Sequence, residues 1–391
     1  MEIANLSDYS DGKRRLRLGL VGGGTGLIGA IHANGARLSN RWDVVAGALS
    51  SNPETARSAG QKWHFDPDRC YLDYAQMASK EAGRPDGIDA VAIVTPNHLH
   101  APVAIEFMKH GIDIICDKPV TSQLEEVAEL TAAQKRSGVF FGVTYAYASH
   151  PMVRQAREMV LSEDLGDIRQ VHVEYFQDWA IDLTDEEANA PWRLDPEKSG
   201  PSFTVADIGT HAEHLTSFVT GRQIESVRAD FLVTGSPKPL EDTAFMHIRL
   251  TGSIPGTLMV SQSMAGSHCG LRLRVSGTKA TIEWLQEKPE IISFRKVGEP
   301  EKLLSRGHGA GIYRSAEKLV RMPRGHPEAL SDAWANLYQE FSISIQARRD
   351  GEQVPEGLIE PPTLAHGLQS MKFINAAVKS SKENQWVYLE D

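Results

Sequence analysis

Cysteine is scarce. Cys70, Cys116 and Cys269 lie far apart in a chain of 391 residues, an odd number that argues against a disulfide framework and, with no CxxC spacing, against a cysteine-held metal. A reducing compartment, and with it the cytoplasm, is the expectation. Basic residues are short as well: Lys plus Arg total 41 against 51 Asp plus Glu, a formal charge of -10. That balance argues against general affinity for nucleic acid or an anionic membrane and favours small neutral or polar substrates. No stretch reaches the ~18 consecutive apolar residues of a membrane span, and residues 1–15 are polar, without the apolar centre of a signal peptide. Internal repeats and low-complexity linkers are also lacking. What remains is an ordinary soluble composition in a chain too long for one core, so two domains are expected, 1–145 and 146–391.

The first of these alternates strand and helix. Residues 16–21 read as a buried strand, followed by Gly22-Gly23-Gly24-Thr25-Gly26-Leu27-Ile28-Gly29 and a helical run over 30–38. Strand, glycine-rich turn and helix together bring backbone N–H groups to a pyrophosphate at the helix's positive end. The expected cofactor contacts are Gly22, Gly24, Thr25, Gly26, Leu27 and Ile28. Two registers stay open: Gly24, Gly26 and Gly29 satisfy GxGxxG literally, whereas Gly22 and Gly24 follow the strand more closely. The second strand, 43–49, ends at Ser50 and Ser51, where the fingerprint normally has an Asp or Glu for the ribose hydroxyls. With no carboxylate to repel a 2′-phosphate, and Arg57 nearby, the cofactor is read as NAD or NADP with a lean to NADP or dual use. Asn52 and Pro53 read as the N-cap and first residue of the next helix.

Residues 88–95 form another near-continuous apolar strand, as in a parallel sheet covered on both faces. In a doubly wound sheet the loop that follows sits beside the dinucleotide, which makes Thr95, Pro96, Asn97 and His100 cofactor candidates. Asn97 as a helix cap and His100 as a structural hydrogen-bonder are equal alternatives. The apolar run 113–116 stops at Asp117, Lys118 and Pro119. Proline restricts Lys118 to extended geometry and leaves its ammonium at a strand's carboxyl end, the edge where open α/β sheets bind ligands. There it can hydrogen-bond a substrate hydroxyl; a surface lysine in a turn is the alternative. A helix over 124–135 and a strand over 139–143 complete a Rossmann-type, doubly wound parallel sheet with right-handed crossovers.

Beyond 151 the pattern changes to one helix (153–161) and strands at 168–176, 226–233, 244–250, 256–263, 271–276 and 280–285, joined mostly by turns. The reading is a C-terminal domain built on a large, open, mostly antiparallel sheet. An apolar face on such a sheet needs a cover, and a homodimer or homotetramer would supply it. Within this half Ile208, Ala212, Leu215 and Val219 follow the spacing of a buried helical stripe. Asp207 and His211, four apart, share an adjacent face and suit general acid-base chemistry. A helix-terminal Asp with a core His is the bland alternative, and His214 on the same face can take the role instead. His211, Glu213 and His214 lack the rest of a ligand pattern, so no metal is expected.

Taken together, the glycine-rich turn at 22–29, TPNHLH at 95–100, DKP at 117–119 and DIGTH at 207–211 resemble the glucose-fructose oxidoreductase, inositol dehydrogenase and rhizopine-catabolism (Gfo/Idh/MocA) family. So do the segments RGHPEALSDAWANLY and PPTLAHGLQSMKFI nearer the end. The resemblance implies an NAD(P)-dependent oxidoreductase acting on an alcohol or ketone carbon of a sugar, sugar derivative or cyclitol. Lys118 then matches the family's EKP lysine, with Asp117 in place of the usual Glu beside the cofactor. Asp207 and His211 match its DxGxH pair, with His211 transferring the proton. Tyr145 and Tyr147 stand where many members have an Asn-x-Arg substrate anchor. Gln177, Trp179 and Arg193 are similar to substrate-side positions of the levoglucosan-oxidising branch. Two rival readings are a sugar-sensing regulator that keeps the fold without turnover, and an enzyme whose tightly held cofactor couples oxidation to sugar transfer or glycoside elimination.

Overall fold

A computed structural model describes residues 13–184, 192–355 and 358–389; most of the polar stretch 1–15 lies outside them. Two compact units emerge, Met1–Ala146 with Leu330–Leu368, and Tyr147–Ala329 with Gln369–Asp391.

In the first unit β1 (Leu16–Gly22), α1 (Leu27–Leu38), β2 (Trp42–Ala48), α2 (Pro53–Lys62), α3 (Tyr74–Ala82), β3 (Ala90–Val94), α4 (His100–Lys109), β4 (Asp113–Cys116), α5 (Glu126–Ser137) and β5 (Phe141–Val143) follow in order. The strands pair in parallel in the order β2-β1-β3-β4-β5. Its apolar strands are buried on both faces, as their unbroken hydrophobicity requires. Chain order reverses between β1 and β3, and the crevice beyond their carboxyl ends is where such sheets take ligands.

The second unit holds α6 (Pro151–Leu161), β6 (Ile168–Phe176), α7 (Pro196–Ser199), a π turn (Val205–Gly209), α8 (Thr210–Thr220), β7 (Ile224–Leu232), β8 (Thr243–Leu250), β9 (Ile254–Ser261), β10 (Gly270–Gly277), β11 (Ala280–Leu285), β12 (Ile291–Lys296), β13 (Lys302–Ser305) and α9 (Arg314–Glu317). With β14 (Val387–Tyr388) the strands form one sheet ordered β13-β12-β11-β10-β6-β9-β8-β7-β14. Among the described residues of this sheet, only β6 and β9 pair in parallel. Strand residues alternate: Val171, Val173, Leu258, Val260, Leu273 and Val275 are buried. Outward-facing Glu174, Arg272, Arg274, Glu283 and Arg295 form an ion-pair ladder on the other face, and Phe245, 46% exposed, lies on that same face two strands from Glu174.

Two long helices follow, α10 (Leu330–Asp350) and α11 (Leu364–Glu383). The single boundary expected at 145 gives way here, because α10 returns to the first unit. Trp334, Leu337, Tyr338, Phe341 and Ile345 complete the core built by Leu18, Leu20 and Trp42. The Trp42 indole donates to Tyr338 O at 2.8 Å.

Candidate active site

The turn after β1 is bent by glycine. Gly22 and Gly23 have φ of +80° and +71°, and a Cβ on Gly29 would lie 2.2 Å from Gly23 O, so the turn folds directly onto the start of α1. Gly26 is the N-cap of α1, without a side-chain cap and with open space where a Cβ would stand. Thr25, Gly26 and Leu27 are exposed and Gly22, Gly24 and Ile28 half-buried. Gly22 and Gly23 make the bend, while Gly26 leaves the first-turn amides open, a feature that a dinucleotide pyrophosphate fits. At the end of β2 the Ser50 hydroxyl accepts from Asn52 N at 3.1 Å, Ser51 is exposed, and Asn52 caps α2 with Pro53 behind it.

Beyond β3 and β4 the backbone is clasped by buried polar groups. His100, 1% exposed, places Nδ1 2.7 Å from Pro119 O and Nε2 2.8 Å from Thr95 O. Each ring nitrogen thus faces a backbone carbonyl, the arrangement the structural alternative calls for, and the ring's single N–H donates to one of them at a time. Asn97 is buried, while Thr95 and Pro96 are half-buried at the same edge. The Asp117 carboxylate accepts from Lys118 N and from the Thr144 hydroxyl, both at 2.8 Å. Burial pushes that carboxyl up, but His32, Lys118 and His100 and the Thr144 hydroxyl outweigh it and hold it below the usual range. Lys118 is half-buried, and its bond to Pro119 is cis.

In the second unit Asp207 lies in the π turn and His211 in the first turn of α8. The expected plain helix opens here as a π turn, and the buried Glu241 carboxylate caps the chain at its start: it accepts from Phe203 N and Val205 N at 3.3 and 3.1 Å and from the Ser202 hydroxyl. Tyr147 meets the His211 ring edge-on at 4.9 Å, and Tyr175 lies 6.4 Å away. The two phenols are 2.6 Å apart, and Cys269 Sγ sits 3.6 Å from Tyr147 OH and 3.3 Å from Tyr175 OH. Burial pushes both phenols well up, so they remain protonated donors. Gln177 Nε2 donates to Tyr175 OH at 3.3 Å, and Trp179 Nε1 donates to Gln177 Oε1 at 3.0 Å. Trp179 is 47% exposed and edge-on to Phe203. His214, left open as a substitute for His211, is instead 4% exposed and stacked on Phe218.

Of the expected substrate residues, Tyr147, Gln177, Trp179, Asp207 and His211 thus come together within the second unit. The Arg193 guanidinium stacks on Trp192 at 4.6 Å. Tyr145, in the first unit, is 1% exposed. Sequence reasoning missed Tyr175, Thr204, Glu241, Gln262 and Cys269, whose roles arise from contacts across the sheet that no local spacing announces. It also missed His32, which bonds Tyr338 OH at 2.8 Å under α10.

Residues 16–145 match an oxidoreductase family with an NAD-binding Rossmann fold, and residues 153–283 match the GFO/IDH/MocA C-terminal domain. An uncharacterised oxidoreductase of Bacillus subtilis, YfiI, is 33% identical over 95% of this chain and 96% of its own length. Levoglucosan dehydrogenase of Pseudarthrobacter phenanthrenivorans is 25% identical over 96% of this chain and 98% of its own. The crystal structure of an inositol dehydrogenase homologue from Azotobacter vinelandii, complexed with NADH and myo-inositol, superposes with a TM-score of 0.88 at 32% identity, covering 96% of this chain and 98% of that one. With both of its regions matched and a third of its residues shared along nearly the whole length, this chain belongs to the GFO/IDH/MocA family of oxidoreductases.

Proposed function

We propose that the protein oxidises a secondary alcohol of a sugar, sugar derivative or cyclitol, or reduces the corresponding ketone, with NAD(P) as hydride carrier. The observation that carries this reading is the surround of His211: a half-buried imidazole beside two phenols that belong to a hydrogen-bonded set of amides reaching the Asp207 carboxylate. Such a lining matches the many hydroxyls of a polyol, and the inositol and levoglucosan named with the relatives are of that kind. A bound nicotinamide supplies the hydride acceptor. Neutral His211 takes the hydroxyl proton, Lys118 stabilises the developing alkoxide, and Asp207 orients the imidazole or binds a neighbouring hydroxyl. Tyr147, Gln177 and Trp179 position the substrate, the indole offering an apolar face to ring C–H groups.

The finer reading of the cofactor is NADP or dual use. It is supported by Ser50 and Ser51 where an acidic residue would repel a 2′-phosphate, with Arg57 exposed on α2. Measuring kcat/KM with both cofactors tests it: NADP is expected to serve at least as well as NAD, and a strong NAD preference overturns it. Association into a homodimer or homotetramer through the outer face of the large sheet is the matching proposal for assembly.

A polyol and sugar panel followed at 340 nm (the absorbance of the reduced nicotinamide) tests the activity. Lys118→Met and His211→Ala are each expected to lower turnover at least ~100-fold while leaving dinucleotide affinity unchanged. Near-normal kinetics in both variants would show that the site lies elsewhere.

A further inference from the structure

The Asp207 carboxylate is held by a side chain 55 positions later that belongs to no motif. Gln262, the first residue after β9, is 0% exposed. The orientation of its amide follows from Asp207: a carboxylate only accepts, so the end facing it is the NH2, and the Thr204 hydroxyl donates to Oε1 at 2.8 Å. That group donates to Asp207 Oδ2 at 2.7 Å and approaches Gln177 Oε1 at 3.3 Å. Gln177 passes the chain to Tyr175 OH, which meets Tyr147 OH, whose ring is edge-on to His211. One continuous belt of hydrogen bonds thus runs from Asp207 to the aromatic wall of His211.

We propose that Gln262 is a positioning residue for the oxidoreductase reaction: it fixes the Asp207 carboxylate in its ionised form and, through Gln177 and the tyrosine pair, sets the wall against which His211 works. This inference rests on the reading of Asp207 and His211 as the proton-handling pair. An N–H aimed at a carboxylate favours the charged state, and a buried donor and acceptor matched at both ends resist rotation. Gln262→Glu tests this most directly, because it keeps shape while placing a second carboxyl within hydrogen-bond distance of Asp207. Two carboxyls that close share a proton, and the pair's upper apparent pKa rises.

The first measurement needs no turnover: ¹³C NMR titration of the Asp207 carboxyl in aspartate-labelled protein, assigned by its loss in Asp207→Asn. In Gln262→Glu the midpoint is expected to rise by at least about one pH unit; an unmoved midpoint overturns the proposal. The second is kinetic. The acidic limb of the kcat/KM profile is expected to move up with the titration, and Gln262→Leu to lower kcat at least ~10-fold with dinucleotide dissociation constant unchanged. Normal kcat in Gln262→Leu together with a superimposable pH profile in Gln262→Glu also overturns it. Should Gln262→Leu fail to fold, the near-isosteric Gln262→Glu still decides. If the unaltered protein turns over no polyol, the functional reading falls while the carboxyl titration continues to judge Gln262.

Discussion

His100 illustrates how much a single buried side chain can hold. A neutral imidazole has one N–H to donate, yet two carbonyl oxygens flank this ring, one beyond β3 and one just after Lys118. It donates to one of them at a time, and the packed ring lies between the loops that follow neighbouring strands, so its loss loosens the segment carrying Lys118. We expect His100→Ala to cost about 2–3 kcal/mol of stability in urea unfolding, from one buried hydrogen bond and the void left behind. A change under about 0.5 kcal/mol would mean the ring holds nothing there. Lys118, Asp207 and His211 could be singled out as candidates from the sequence because each sits in a short, chemically odd string at an element's end. Tyr175, Gln262 and Cys269 could not, since a glutamine after a strand looks like any other until folding brings it to Asp207.

The glycines of the nucleotide turn separate by what surrounds them. Gly29 has Gly23 O where its Cβ would go, whereas Gly26 faces open space. Gly29→Ala is expected to destabilise the protein by about 1–3 kcal/mol in thermal or urea unfolding. Gly26→Ala is expected to leave stability within about 0.5 kcal/mol and to raise the dinucleotide dissociation constant by crowding the phosphate. The reverse ranking would show that Gly26, and not Gly29, sets the packing of the turn. Strands β1, β3 and β4 could be read from their apolar runs, and α2 from Asn52-Pro53. The stripe through Ile208 and Ala212 announced a helix, but not the π turn, whose start meets Glu241 arriving from before β8. α10 stayed unread because it is buried nearly all round: Asn336, Gln339, Glu340 and Ser342 are as hidden as Leu337 and Phe341, so no polar face marks its period.

Across the whole molecule, buried ionisable groups set opposing pH limits. Burial pushes Glu213 and Glu241 from 4.5 up to about 7, against hydrogen bonds from serines and, for Glu241, backbone amides. The folded state then binds more protons than the unfolded one. Their contribution is complete below about pH 4.5 and is lost as pH rises through about 7. Burial lowers His32 and His150 from 6.5 to about 4, so their contribution is complete above 6.5 and is lost as pH falls through about 4. Glu213→Gln is expected to flatten the decline in unfolding free energy between roughly pH 5 and 8 by about 3 kcal/mol. Urea titrations at several pH values check this, and an unchanged slope removes Glu213 from the account. On the outer face of the large sheet, Phe245→Glu is expected to weaken self-association in sedimentation velocity, and an unchanged sedimentation coefficient argues against that face as the contact. The two-unit plan was legible from length and from the change of pattern after 145, whereas the return of the chain at Leu330 was not, because it is carried by side chains that only the finished core explains. That return has a consequence for biosynthesis. On a ribosome the first 146 residues emerge without Trp334, Tyr338 and Phe341, and at ordinary elongation rates these follow on the order of tens of seconds later. Through that interval the nascent nucleotide fold has an unfilled flank, a window in which a chaperone has something to hold.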